Sequence, residues 1–333
     1  MGSSKQPVLY PLRFTPLFKR HLWGGRRLAT ELGKSIGDAD DYAESWEVVD
    51  HGDDQSVLSD GPLRGMTLAA LVAKHGKALL GIDYPQTGFP LLWKFLDAHR
   101  VLSVQVHPDD AQAAQLVPPD RGKTEAWVVL AADPGSVLYA GLIAGVDRET
   151  LTRAIEAGKS ESCLHRLEPV AGDCIYIPAG TVHALGDGLL IAEIQQASDT
   201  TYRLFDWNRV GPDGKPRQLH IAQGLNAIDF DRGPIQIEKP KPTGCREIER
   251  LVTGDHFTID RWKFDRPLRA GGDGKCHLLS TIAGEVEISG DPRGKPLMRG
   301  EVLLLPASMG EVTVTPTSTA TLLDVYLPTQ DPV

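Results

Sequence analysis

Gln105, His107, Glu125 and His183 supply two imidazoles, one carboxylate and one amide oxygen. That mixed nitrogen and oxygen set suits Zn²⁺ or a similar divalent ion with a position left open for water or substrate. No thiolate joins it, so a closed structural zinc site is not expected. Each residue alone says little, since a single strand His is more often a hydrogen-bonded core residue. The joint pattern says more: Gln-x-His, then Lys-x-Glu, then Gly-Asp-x4-Pro-x-Gly-x2-His.

These residues need a sheet to hold them. Val101 to Asp110 alternates with a period of two, so Leu102, Val104 and Val106 share one strand face and Ser103, Gln105 and His107 the other. Lys123 to Leu130 reads as a strand with Lys123 and Glu125 on one face. Gly172 to Leu185 reads as a strand, a Pro178-Ala179-Gly180 turn and a return strand carrying His183. Further strands are expected at 44–49, 137–142, 189–196 and 200–207. Helices are expected at 67–79 with Thr67 as cap, at 111–116, and at 147–157 ending on Gly158, with a short helical piece at 160–164. The basic run Trp23-Gly24-Gly25-Arg26-Arg27 has the composition of an anion-cradling loop.

The chain has 333 residues, enough for one large or two medium domains. Its 34 Gly and 24 Pro suit many short strands joined by turns better than a helical bundle. Three prolines in 233–243 mark a linker. Beyond it lies a second β-rich unit, in which Gly300 to Ala307 echoes Gly172 to Ala179. The same register puts Glu311 where the first copy has His183, so the second copy is expected to lack metal ligands. The predicted division is a metal-binding domain over 1–235, with a short helical segment near 147–164, and a second β domain over 236–333.

A formal net charge of −9 argues against nucleic acid or an anionic membrane as partner. Cys163, Cys174, Cys245 and Cys276 are widely spaced and are expected to be free thiols. No stretch reads as a signal peptide or membrane span, so a cytoplasmic protein is expected.

The 172–185 turn resembles the second motif of the cupin superfamily, which implies a mainly β jelly-roll barrel with a metal in its mouth. More narrowly, four stretches together resemble type I mannose-6-phosphate isomerase (phosphomannose isomerase). They are Leu102 to Asp109, Lys123 to Trp127, Pro178 to Ala184 and Thr201 to Trp207, with weaker likeness over Leu9 to Gly33 and Glu44 to Asp50. The short helical segment resembles the compact bacterial form. The resemblance implies that Gln105, His107, Glu125 and His183 bind one Zn²⁺ per chain, that Lys123 and Arg203 sit in the active site, and that Glu193 lies near the pocket. It also implies interconversion of mannose 6-phosphate and fructose 6-phosphate, with a sugar phosphate as partner.

That reaction moves a proton between C1 and C2 through a cis-enediol and needs a base and a stabiliser of oxygen charge. Arg203 could steady an enediolate oxygen or the phosphate. Lys123, beside a metal and Arg203, is expected to favour its neutral amine and so to serve as base; Glu193 is the alternative. Ser103 and Lys94 are further phosphate or supporting contacts. Competing readings are another cupin sugar-phosphate isomerase, an iron-dependent oxygenase, or a non-catalytic sugar-phosphate-binding module.

Overall fold

The computed structural model describes residues 9–211 and 214–329. Among them the strand Leu91–Ala98 is buried at all eight positions, yet it carries Lys94 and Asp97. The reason lies in its neighbours. It pairs with Leu189–Gln196, which pairs in turn with Glu125–Ala132, and the register lines up rows of side chains across the sheet. One row is apolar, Leu96, Ile191 and Val129; the next on the same face is Lys94, Glu193 and Trp127; the next ends at Glu125. The inner face therefore changes from oil to charge along the strands, and the polar end is where a site can form.

These strands belong to a six-stranded sheet in the order Cys174–Ile177, Glu125–Ala132, Leu189–Gln196, Leu91–Ala98, Tyr42–Val48, Leu17–Gly25. A five-stranded sheet faces it, in the order Leu164–Leu167, Leu138–Leu142, His183–Leu185, Val104–Val106, Tyr202–Phe205. Trp127, Val129, Ile175 and Ile191 of the first meet Leu138, Ala140 and Leu185 of the second in one core. Each Val, Leu or Ile among them contributes about 1.5–3 kcal/mol on burial. On the outer face of the second sheet, Val104, Val106 and Leu204 are covered by Leu151 and Ile155 of the helix Arg148–Glu156 and by Leu225 of Ile221–Ala227. With both faces of Val104–Val106 committed, Gln105 points into the sandwich. The mainly β, jelly-roll class expected from the sequence is the one found.

Several elements differ from the sequence reading in instructive ways. The strand at 101–110 contracts to Val104–Val106, and that at 123–130 begins only at Glu125. The turn after Ile177 is not a hairpin. Cys174–Ile177 pairs with Glu125–Ala132 in one sheet, while His183–Leu185 pairs with Leu138–Leu142 and Val104–Val106 in the other. The Pro-Ala-Gly turn is thus a corner between sheets, which carries His183 across the sandwich. The helices hold up better: Thr67 caps Leu68–Leu80 by accepting from the Ala70 amide at 3.2 Å, and Asp147 caps Arg148–Glu156. The helix after Pro108 is only Asp110–Ala113.

The chain packs as two compact units, neither continuous. The first sandwich comprises Phe18–Trp46 and Leu91–Lys239; the other unit joins the segment ending at Leu17, Glu47–Pro90 and the chain from Pro240 onward. The sequence reading had grouped everything before 236. The physical reason for the difference is pairing: Leu12–Thr15 pairs with Val302–Leu305, placing Leu12 opposite Leu304. The second unit has an eight-stranded and a four-stranded sheet around Trp262, Leu279, Leu303, Val314 and Leu322. Val302–Leu305 lies in the first of these sheets and Glu311–Pro316 in the second, so the repeated turn makes the same crossing there. The predicted linker is not loose. Ile235 N donates to Ala140 O at 3.1 Å and Glu238 N to Cys174 O at 2.8 Å. No helix among the described residues is long and apolar enough to cross a membrane. All four cysteines are free.

Candidate metal centre and cleft

Four strands and two loops converge on one point. Gln105 lies directly opposite His183 on one side and Arg203 on the other. His107 follows the end of its strand, and its Nδ1–H donates to Thr200 O at 2.9 Å. The His183 Nδ1–H donates to Thr181 O, also at 2.9 Å. Both rings are therefore held in the tautomer that leaves the Nε2 lone pair facing inward. Those atoms stand 3.5 Å and 3.3 Å from the two oxygens of Glu125. The donor atoms of His107, Glu125 and His183 all lie within 4.8 Å of one another, and all three residues are buried. The Gln105 amide reaches His183 Nε2 at 3.2 Å, so a half-turn of the amide brings its oxygen to the same centre.

The residues fit a divalent cation. Neither Glu125 oxygen, both fully buried, has a well-formed hydrogen bond; Lys123 stands 3.2 Å from Oε2 alone, and a buried carboxylate so placed favours a further cation. Burial pushes this carboxyl up to about 7, against the pull of Lys123. Burial lowers His183 to about 4 and His107 well below the ordinary value, so both rings are neutral, the form that ligates. The edge of Trp127 closes the back of the site, 5.4 Å from the His183 ring.

A cleft of about 420 Å³ opens beside this cluster and is lined by Ser103, Gln105, Lys94, Lys123, Glu193 and Arg203. Every sequence-predicted site residue thus lies at the cluster or on the cleft beside it. Lys123 Nζ is 3.2 Å from Glu125 Oε2 and 3.3 Å from His107 Nε2. Burial would lower this ammonium, but Glu125, Glu193 and Asp199 hold it above the ordinary lysine value. The protein's own charges therefore oppose the neutral amine expected from sequence, an expectation that rested on Arg203 and the metal. Lys94 is surrounded in the same way: Glu193 at 3.6 Å, Glu44 at 3.7 Å, Asp199 at 3.9 Å, and the Trp46 ring centre at 4.5 Å. Glu193 accepts from the Trp127 indole N–H at 3.2 Å, and despite burial Lys123 and Lys94 hold it below the usual carboxylate range. Arg203 donates to Gln218 O at 2.9 Å, and its Nε is buried without a partner.

Sequence reasoning missed Asp199, Trp46 and His21, which also line the cleft. Asp199 follows a strand and Trp46 sits in the predicted strand at 44–49; neither has a spacing signal tying it to the metal motifs. The Trp23 to Arg27 run is not an anion cradle. A Cβ on Gly24 would meet Asp41 O at 2.5 Å, and the Arg27 amide already donates to Asp97 Oδ2 at 2.7 Å.

Comparison with known proteins bears on what this cleft is. Residues 12–126 match the family model for the phosphomannose isomerase type I catalytic domain, and residues 247–326 match that for the mannose-6-phosphate isomerase cupin domain. The chain is 35% identical to mannose-6-phosphate isomerase ManA of Bacillus subtilis (strain 168), over 90% of this chain and 94% of that one. It is 35% identical to a mannose-6-phosphate isomerase of Streptococcus mutans, over 89% and 92%. The crystal structure of a Bacillus subtilis mannose 6-phosphate isomerase superposes with a TM-score of 0.87 at 31% identity, covering 96% of this chain and all of the other. With sequence, fold and both domains in agreement, the chain belongs to the type I phosphomannose isomerase family.

Proposed function

We propose that this chain, a mannose-6-phosphate isomerase by family, works with one zinc ion and through a cis-enediol to interconvert mannose 6-phosphate and fructose 6-phosphate. The observation that carries the reading is the buried His107–Glu125–His183 cluster opening onto a cleft that presents Lys123, Glu193 and Arg203 together. Zinc held by these three residues and Gln105 would supply Lewis-acid stabilisation of charge on the sugar's carbonyl and hydroxyl oxygens, a contribution of several kcal/mol.

The chain's own side chains do the rest. Moving a proton between C1 and C2 needs a base at the open side of the cluster. Lys123 is one candidate: once a cation offsets Glu125, the ammonium loses its nearest anionic support and is more easily deprotonated. Glu193 is the other, a carboxylate held ionised by Lys94 and Lys123 and oriented by Trp127. Lys94 serves the site through Glu193, because three carboxylates already meet its charge. Arg203, with an unpartnered Nε, faces the anion, whether an enediolate oxygen or the phosphate. Ser103, whose hydroxyl lies 3.3 Å from the Gln105 amide, can donate or accept and so steadies that amide in either orientation. The partner is a small sugar phosphate. We place catalysis in the sandwich that holds the cluster and give the C-terminal unit no metal of its own.

The test is a coupled assay following fructose 6-phosphate from mannose 6-phosphate, with glucose 6-phosphate alongside. Selective turnover of the mannose compound, lost on chelation and regained with zinc, is expected. Full activity in exhaustively chelated protein would overturn the metal's role, and saturable sugar-phosphate binding without turnover would favour a binding module. His183→Ala is expected to lose zinc, while Glu311→Ala, at the matching turn of the second unit, keeps it.

A further inference from the structure

One of the cluster's donors and the adjacent lysine lie outside regular strand pairing. His107 follows Val104–Val106, and Lys123 precedes Glu125–Ala132. No strand pairing joins these two segments, and a single main-chain bond, Lys123 N to Pro108 O at 3.1 Å, leaves side chains to fix their spacing.

We propose that Gln196 is the positioning residue that sets it, an inference that rests on the metal-site reading above. Gln196 ends the strand Leu189–Gln196 and is buried. Its amide oxygen accepts from Thr124 N at 2.9 Å, the backbone group between Lys123 and Glu125. Its amide nitrogen donates to Asp110 Oδ1 at 3.0 Å, three residues beyond His107. The same Asp110 oxygen accepts from Gly122 N at 2.8 Å, and Lys123 N donates to Pro108 O at 3.1 Å. The Thr124 hydroxyl accepts from Ala179 N at 3.1 Å, which ties in the corner leading to His183. Gly122 allows the close approach, since a Cβ there would meet Asp110 N at 2.5 Å.

One neutral side chain thus braces the His107 segment against the Lys123–Glu125 segment, its terminal amide offering both the donor and the acceptor this needs. Glutamate would lose the donor and set a like charge against Asp110. Methionine would lose both bonds. Gln196 is not among the residues that line the cleft. Its effect therefore passes through the groups it places, and partners that orient metal ligands typically matter by 10- to 100-fold in metal affinity or activity.

The test uses the full-length protein with zinc alone as probe, competed against a chromogenic chelator, and with mannose 6-phosphate turnover as a second readout. Gln196→Glu and Gln196→Met are expected to weaken zinc binding by about tenfold or more and to lower kcat by about 10- to 100-fold. KM should stay within about twofold, because the cleft walls are untouched. Zinc affinity and kcat within twofold of the parent in either folded variant would overturn the proposal. So would a loss seen only in thermal midpoint. Should both variants fail to fold, Asp110→Ala, at the exposed end of the brace, decides by the same two readouts. Should the parent itself not turn over mannose 6-phosphate, the functional reading fails, and the zinc competition still tells whether Gln196 places the donors.

Discussion

At the scale of single residues, the site is a balance of charge. Lys94 and Lys123 line the cleft with Glu44, Glu193 and Asp199, Glu125 lies beside it, and each lysine is placed so that an opposite charge offsets part of its desolvation. Arg203 stands apart because its Nε has no partner inside the protein. Arg203→Ala should therefore damage function more than folding. A single hydrogen bond from a half-buried side chain contributes about 1 kcal/mol, so the thermal midpoint should move by no more than about 4 °C. Loss of a charge aimed at a developing oxyanion lowers kcat by about 10²–10³-fold. Steady-state kinetics beside a melting curve separate the two, and a large drop in the midpoint with modest loss of kcat would make Arg203 a structural ion.

At the scale of elements, the corner at Pro178 to Thr181 matters most, because it carries His183 from one sheet to the other. Gly180 sits there with φ +84° and donates its amide to His107 O at 2.9 Å. A Cβ at that position would approach Ala227 O to 3.1 Å. Gly180→Ala should cost about 1–2 kcal/mol for the left-handed backbone alone. It should also loosen the segment bearing His107, so a urea midpoint below the parent's is expected together with weaker zinc retention in chelator competition. An unchanged midpoint would mean the corner relaxes without strain, and the tie to His107 would then carry no weight.

At the scale of the whole molecule, the second unit has its own buried electrostatic centre. His277 is buried between Asp324, 2.8 Å from Nδ1, and Asp273, 3.1 Å from Nε2. Burial opposes its charge, but the two carboxylates raise it from 6.5 to about 10. Asp273 is drawn down to about 2 by the same contact, while burial keeps Asp324 above its ordinary value. A folded-state pKa above the unfolded one gives stability that is fully present below about 6.5 and is lost as pH rises through about 10. The urea midpoint should thus decline across that window, and His277→Gln, though less stable at neutral pH, should show a flatter decline. Parallel pH profiles for the two proteins would place the pair's contribution elsewhere.

Local chemistry determined a good deal of this protein. Alternation around Val104 to Val106 faced Gln105 inward, Thr67 and Asp147 announced their helices, and the Gly-Asp-x4-Pro-x-Gly-x2-His spacing marked the corner that bears His183. Such features depend on residues a few positions apart, and side-chain periodicity and capping act over that range. Tertiary structure decided what depends on partners distant in sequence. It made the turn at Pro178 a crossing between sheets, and it paired Leu12 with Leu304 so that the chain's beginning packs with its end. It set Asp199 and Glu193 beside Lys123, carboxylates that hold its ammonium above the ordinary lysine value. Coulomb interactions and desolvation follow distance and burial in space, and neither is written in the order of residues along the chain.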